Sequence, residues 1–433
     1  MKKSSRKSSK YIYLDYAATT PVDERVLKSM QPYWSKEFAN PSALYKSGVR
    51  AKQTITSARA EIAKVLNASS SEIVFTAGGT ESNNMAILGT AQAFQKTHGQ
   101  AGHIITTPIE HHSVLHVMDA LKKWGWKISY VEIDKEGFVN LDHLKSLVRK
   151  DTVLISIMYA NNEVGTIQPI AEIGKWLSGL NKARMLGKGT SLTKNNKTLP
   201  KILFHTDACQ AAGALSLDTH KLKIDLLTLN GSKIYGPKQT GILYIRTGTK
   251  LEPIIHGGGQ ENNLRSGTEN VPGIVGLATA LTLAQKSSTK ESIRLQGLQQ
   301  YFVDRLSKRV DEFIVNGPEI ISKTKQPASK NKSVSENLVR LPNNINISFN
   351  GVEGETLMLY LDNLNIAVAT GSACATTSTD PSHVLIALGS TQGQAYSAIR
   401  FTMGVNTTKK DLDFVIEALA DLVPMLRKVK SLN

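Results

Sequence analysis

The sequence predicts an α/β protein. A large domain is built on a mainly parallel sheet with helices on both faces, and a smaller α+β domain follows it. Two observations carry this prediction. From about residue 72, short apolar runs alternate with amphipathic helical stretches, which is the pattern of βαβ units and a parallel sheet. After the turn His256-Gly-Gly-Gly259 the alternation gives way to long helices and sparser strands. A chain of 433 residues is also too long for one ordinary core, so two domains are expected.

The elements follow in order. Apolar runs at Ile73–Thr76, His103–Thr106, Ile128–Val131, Val153–Met158, Ile202–Thr206, Leu226–Leu229 and Ile242–Ile245 are the seven candidate strands of the large domain. Glu81–Phe94, Ser113–Lys123, Leu141–Val148 and Ile170–Leu180 repeat apolar residues at helical spacing between them. In the second domain, a helix from Pro272 to about Arg309 precedes strands at Asn344–Phe349, Ile366–Ala369 and Ala398–Thr402. A helix over Lys409–Lys428 closes the chain. These readings divide it into a basic tail (1–10), a segment expected to pack with the small domain (11–22), the large domain (23–269) and the small domain (270–433).

Composition narrows the function class. Hydrophobic residues make up 41% and charged residues 20%, a globular balance. No apolar run approaches the ~20 residues of a membrane helix, and the opening MKKSSRKSSK lacks the apolar core of a secretory signal. No membrane association is expected. The net charge of +16 concentrates in the tail and in two loops, 182–201 and 322–335, rich in lysine and without acids. No nucleic-acid-binding motif accompanies it, so the charge is read as solubilising. Two cysteines, Cys209 and Cys374, exclude a disulfide scaffold and fit a reducing, cytoplasmic setting.

In parallel α/β sheets, ligands collect at the carboxyl ends of the strands, and the polar residues predicted there form a series. Ala-Gly-Gly-Thr80 leads from the first strand into a helix whose N-terminus suits a phosphate. A glycine turn with a threonine cap is the plainer alternative. Neither nucleotide-binding glycine motif is present. Asn162 and Asp207 follow two other strands, and Lys233 stands between Asn-Gly-Ser and Ile-Tyr-Gly-Pro after a third. A lysine fixed on a rigid turn can form a Schiff base. With a phosphate site and a carboxylate nearby, that combination suits pyridoxal phosphate. His112 and His116 are four apart, as helical metal ligands can be, but no third ligand motif follows, so no metal is expected. Cys374 lies among Gly, Ser, Ala and Thr residues that offer no core, as an accessible nucleophile requires. Cys209 is read as a packed thiol. Arg400, in an apolar strand, needs either an internal acid or a bound carboxylate.

From "YLDYAATTPV" to "SAIRFTMG" the chain resembles the cysteine desulfurases of the NifS/IscS type, class V members of the fold-type I pyridoxal-phosphate enzymes. The resemblance rests on "GGTESNN", "NNEVG", "HTDACQAAG", "KIYGPK", "HGGGQENNLRSGTEN" and "GSACATTSTDPSHVL", met in family order. It implies that Lys233 holds the cofactor and moves the substrate's Cα proton, and that His111 stacks on the ring and assists proton transfer. Asp207 would pair with the ring nitrogen and Gln210 with the ring hydroxyl. Gly79, Thr80 and Ser232 would hold the phosphate, with Thr268 reaching in from the second subunit of a homodimer. Asn162, Arg400 and Asn40 would bind L-cysteine, and Cys374, on a mobile loop over 371–380, would take its sulfur as a persulfide. The sulfur would pass to an iron–sulfur scaffold or a tRNA-thiolation partner. Ser232, Asn230, Tyr45 and Val405 depart from the family pattern. The rival expectations are another fold-type I activity, a selenocysteine lyase or aminotransferase, and a non-enzymatic relative that uses its basic loops to engage RNA or an acidic partner.

Overall fold

The computed structural model describes residues 10–186, 199–320, 338–371 and 380–430. Thirteen strands are formed among the described residues: β1 (Ile12–Tyr13), β2 (Ile73–Thr76), β3 (His103–Thr106), β4 (Lys127–Tyr130), β5 (Thr152–Ser156), β6 (Leu203–Asp207), β7 (Leu226–Asn230), β8 (Gly241–Ile245), β9 (Phe313–Asn316), β10 (Asn344–Phe349), β11 (Ile366–Ala367), β12 (Ala369–Thr370) and β13 (Ala398–Thr402).

The main sheet has seven strands in the order β2-β8-β7-β6-β5-β3-β4. Only β8 runs against its neighbours; the other contacts are parallel. Because β2 and β7 are both antiparallel to β8, they run the same way as each other. The carboxyl ends of β2, β7, β6, β5 and β3 therefore meet along one edge of the sheet, and every candidate residue after these strands is delivered to that edge. β2 and β5 are buried along their whole length, which is why their sequences are continuous apolar runs rather than alternating ones.

Helices cover both faces. On one face Val74, Leu154 and Leu243 pack with Met85, Ile87, Val114 and Met118 from helices Gly79–His98 and His112–Lys123. On the other, Phe75, Ile155, Phe204 and Leu227 pack with Ile55, Ile62, Ile173 and Leu277. Arg184 is fully buried, and no ion pair is formed to it among the described residues. Its guanidinium donates to the carbonyls of Arg149, Lys150, Thr152 and Pro200, tying the entrance of β5 to helix Ile170–Leu186.

A second core gathers Ile345, Ile347, Phe349, Ile399 and Phe401 against Phe302, Leu306, Val415 and Leu419. Its antiparallel sheet has the order β12-β13-β10-β9. The N-terminal segment enters here. β1 pairs in parallel with β11, and Ile12 and Leu14 join the second core. Helix Val271–Leu306 spans both cores, giving Ile274, Leu277 and Leu281 to the first and Leu295, Leu298 and Phe302 to the second.

Three differences from the sequence reading have physical causes. The stretch expected as one strand over Ile366–Ala369 is two short strands in separate sheets, divided at Val368. β9 pairs at the open edge of its sheet, its Phe313 and Val315 only partly buried and its Ile314 exposed, so its pattern is weak. Helix Lys46–Leu66 went unread because its buried face is largely Gly and Ala, with Ile55, Ile62 and Leu66 spaced among them. A stripe of small residues gives little hydrophobic contrast.

Candidate active site

The strand ends enclose a cavity of about 150 Å³ lined by Gly79, Thr80, His111, Asn162, Asp207, Gln210, Lys233 and Arg400, with Asn83, Ser113, Cys209 and Asn230 also on its wall. Eight of the residues singled out from the sequence thus converge although they lie up to 321 positions apart (400 − 79). Ser232, Thr268 and Asn40 do not line it. Ser232 uses its carbonyl to accept from the backbone and hydroxyl of Thr20. Thr268 is exposed, and Asn40 is an exposed residue whose side chain caps the amide of Ser42. Cys374 and the rest of 372–379 lie outside the described residues. A larger, more open groove of about 440 Å³, lined by Tyr11, Tyr13, Tyr16 and Lys238, includes none of these chemistry-bearing residues.

Two elements shape the phosphate-sized end. Helix Gly79–His98 begins at Gly78, and no side chain caps it. Its first amides and the positive end of its dipole therefore face the cavity that Gly79 and Thr80 line. The close approach requires glycine, since a Cβ on Gly79 would stand 2.7 Å from the Cys209 sulfur. The cavity wall also holds polar atoms buried without a partner: Asn230 Oδ1, Asn83 Oδ1 and Arg400 Nε. Buried polar groups are normally satisfied, so these three mark a cavity shaped for a polar ligand. An uncapped helix N-terminus, a carboxylate and a primary amine in one cavity fit pyridoxal phosphate.

Lys233 follows β7 on the turn Gly231–Pro237, and its Nζ donates to the carbonyl of Ala18. Ala17, its neighbour, accepts from Gln210 Nε2 at 3.0 Å. The N-terminal segment thus forms the floor beneath both residues. Asp207 ends β6, 8% exposed. One of its carboxylate oxygens accepts from the Cys209 amide at 3.0 Å and the other from Asn83 Nδ2 at 2.7 Å. Beneath it His205 is fully buried between Ser156 and Thr228, and burial pushes its pKa down to about 4. The sheet thus places a neutral histidine, not a competing cation, behind the carboxylate.

Arg400 on β13 is 3% exposed. Its Nη2 pairs with Asp15 at 2.8 Å and its Nη1 donates to the Asn162 carbonyl at 3.0 Å. The internal acid expected for this arginine is present, and the side chain also lines the cavity with a buried Nε that no hydrogen bond satisfies. Asp15 was not singled out from the sequence. The signal available was its place in "YLDYAATTPV", but its partner lies 385 residues away.

Asn83 and Ser113 were also missed, because nothing in a helical Asn or Ser marks it as facing a cofactor cavity. Two buried acids flank the site. Burial pushes Glu110 up to about 8 and Glu163 up to about 7. Glu163 accepts from the Ser382 hydroxyl and lies where a Cβ on Gly371 would meet its carboxylate at 2.7 Å. His112 and His116 do meet a third imidazole, His383, whose ring centre is 4.8 Å from that of His112. Among the described residues, however, no three histidine, cysteine or acidic side chains are arranged to hold a metal.

The aminotransferase class-V sequence pattern matches residues 12–187 and 188–415. The chain belongs to this family. It is 45% identical over 418 residues to the cysteine desulfurase IscS of Dictyoglomus turgidum, covering 96% of each chain. It is 42% identical to the cysteine desulfurase IscS of Methanosarcina thermophila, covering 98% of this chain and 95% of that one. Among solved structures, a NifS-like protein superposes with a TM-score of 0.82 at 35% identity, covering 96% of this chain and all of the other. The large parallel-sheet domain and smaller α+β domain of this family member are thus those of a NifS-like, pyridoxal-phosphate-dependent enzyme.

Proposed function

We infer that this family member is a pyridoxal-phosphate-dependent cysteine desulfurase, which converts L-cysteine to L-alanine and carries the sulfur as a persulfide. The observation that carries the reading is the meeting of Lys233, Asp207, His111 and Arg400 around one cavity at the sheet edge, in a chain 45% identical to a cysteine desulfurase.

The residue roles are our assignments. Lys233 would hold the cofactor, the amides of Gly79 and Thr80 would take its phosphate, and Asp207 would keep its ring nitrogen protonated. Bound pyridoxal phosphate supplies an electron sink for negative charge developing beside the substrate nitrogen. The Lys233 amine would accept the substrate's Cα proton and, after the sulfur has left, return it to the same carbon. Arg400 and Asn162 orient the substrate through its carboxylate, which fixes the scissile bond over the site. The Cys374 thiolate attacks the substrate sulfur: an S–S bond forms, the C–S bond breaks with its electron pair left on carbon, and protonation there completes the methyl group of alanine. The persulfide then serves iron–sulfur cluster assembly, tRNA thiolation or both. We further assign the working unit as a cytoplasmic homodimer in which Thr268 of one protomer supports the phosphate of its partner's site. No helix among the described residues is long and apolar enough to cross a membrane.

The test is the visible spectrum of the purified protein, before and after L-cysteine, together with alanine release. The cofactor's visible band should be present in the wild type and lost in Lys233→Ala. Cys374→Ala should keep the band and its response to L-cysteine but release no alanine. A protein with no band after incubation with pyridoxal phosphate, or a Cys374→Ala variant that still forms alanine, would overturn the reading.

A further inference from the structure

His111 is fixed by an unbroken chain of hydrogen bonds that starts at Asp207. The two hydrogens of the Asn83 amide are divided between Asp207 Oδ2, at 2.7 Å, and the Ser113 hydroxyl oxygen, at 2.8 Å. With its oxygen accepting from Asn83, Ser113 directs its own hydroxyl hydrogen onward to His111 Nδ1, at 2.8 Å. The backbone amide of Ser113 donates to the same nitrogen at 3.1 Å. A backbone N–H cannot reverse its role, so Nδ1 is an acceptor, and the ring proton resides on Nε2.

The position of His111 in the fold works in the same direction. It is the N-cap of helix His112–Lys123, where the positive end of the helix dipole opposes a second proton on the ring. Of the charged or titratable groups around it, His112 and His383 sit close enough to interact with it electrostatically, as does buried Glu163. Asp207 is joined to it through Asn83 and Ser113.

We propose that Ser113 and Asn83 are positioning residues that hold His111 as a neutral imidazole protonated at Nε2, so that it meets the reacting groups as a hydrogen-bond donor and not as a base. The proton of the substrate's Cα is then left to Lys233, and His111 serves charge that develops within reach of its Nε2–H. The same bridge ties the orientation of the imidazole to the carboxylate at the end of β6. This assignment rests on the proposed placement of His111 beside the cofactor. The tautomer itself can be read without any cofactor.

The experiment is nitrogen NMR of the full-length protein labelled at histidine, with and without pyridoxal phosphate, the His111 signals assigned with His111→Gln. In the wild type, Nδ1 should give an unprotonated, pyridine-type signal and Nε2 a protonated, pyrrole-type one. Ser113→Ala keeps the backbone donor to Nδ1 but loses the hydroxyl donor, so it should shift the Nδ1 signal and raise the midpoint of the ring titration by about half a unit to one unit, the change that one lost hydrogen bond supports. Ser113→Thr, which keeps the hydroxyl, should restore the wild-type signals, and Asn83→Ala should move them in the same direction as Ser113→Ala. A wild-type ring protonated at Nδ1, or a Ser113→Ala variant with wild-type signals, would overturn the proposal. So would a Ser113→Thr variant that behaves like the alanine variant. Should Ser113→Ala fail to fold, the wild-type tautomer and Asn83→Ala still decide. Failure of the cofactor reading would appear separately, as a missing visible band.

Discussion

Arg400 donates to Asp15 and to the Asn162 carbonyl while its Nε stays buried without a partner. A substrate carboxylate that binds there must share the guanidinium with an acid already in place. Asp15→Asn keeps an oxygen within reach of Nη2 but deletes the competing charge. We expect KM for L-cysteine to fall several-fold with kcat little changed, at a stability cost of about 1–2 kcal/mol for the weakened pair. Steady-state kinetics and urea denaturation check both halves. Glu110 makes the second residue-scale case. Its carboxyl accepts from Thr107 and from the Met158 amide, and burial pushes its pKa up to about 8. The unfolded chain loses this proton near the usual glutamate value, about 4.3. Between the two values the folded chain binds a proton that the unfolded chain lacks. The stabilisation is therefore complete below the unfolded value and is lost as pH rises through about 8. Glu110→Gln keeps an accepting oxygen and removes the titration. Between pH 6 and 9 the wild type should lose roughly 2–3 kcal/mol more than the variant, from one proton at 1.36 kcal/mol per unit. Equal losses in urea midpoint would refute the account.

At the scale of elements, the approach of helix Gly79–His98 to the turn after β6 makes a sharp prediction. Gly79→Ala would bring a methyl group to 2.7 Å from the Cys209 sulfur, so one element must shift. We expect a loss of about 1–3 kcal/mol, as for overpacking elsewhere, and weaker retention of pyridoxal phosphate. Adding Cys209→Ala should restore much of the loss, because the two changes share one contact. Strictly additive effects would sink the explanation. The same contact shows what the sequence could convey. Gly79, Asp207 and Lys233 were legible because each closes an apolar strand with a residue type that needs a chemical reason to be there. The sheet edge then brings them together as βαβ topology requires. Asn83, Ser113 and Asp15 were not legible. Their importance lies in pairings across 30, 124 and 385 residues, and side chains of these types are common on surfaces and caps. Cys209 was correctly read as packed, but its contact with Gly79 follows only from the depth at which the helix seats. Strand ends moved by one or two residues for a related reason: hydrogen-bond registers, not apolar content, set where a ladder stops.

At the scale of the whole molecule, two cores share helix Val271–Leu306, and the cavity is walled partly by residues from each side, Lys233 and Arg400 among them. Relative movement of the two halves would therefore reach the site directly. The surface carries a further asymmetry. Trp34, Phe38, Leu44 and Tyr45, within twelve residues of one another, are 64%, 74%, 96% and 60% exposed. Single exposed apolar residues are normal on a monomer, but four large ones this exposed within one short segment suit a surface that a partner covers. The segment also contains Asn40, and exposed Thr268 is a second residue expected near a ligand yet absent from this chain's cavity wall. We propose that a second copy of the chain covers these side chains and brings both residues beside a site. Leu44→Glu tests this cleanly, since a side chain 96% exposed contributes almost nothing to the fold of its own protomer. In sedimentation experiments the wild type should run as a dimer and Leu44→Glu as a dissociating one. The variant should keep wild-type thermal stability at high protein concentration while losing pyridoxal phosphate on dilution. A wild type that sediments as a monomer and retains its visible band would refute the dimer. It would also return Thr268 and Asn40 to the surface, as residues without a part in the chemistry.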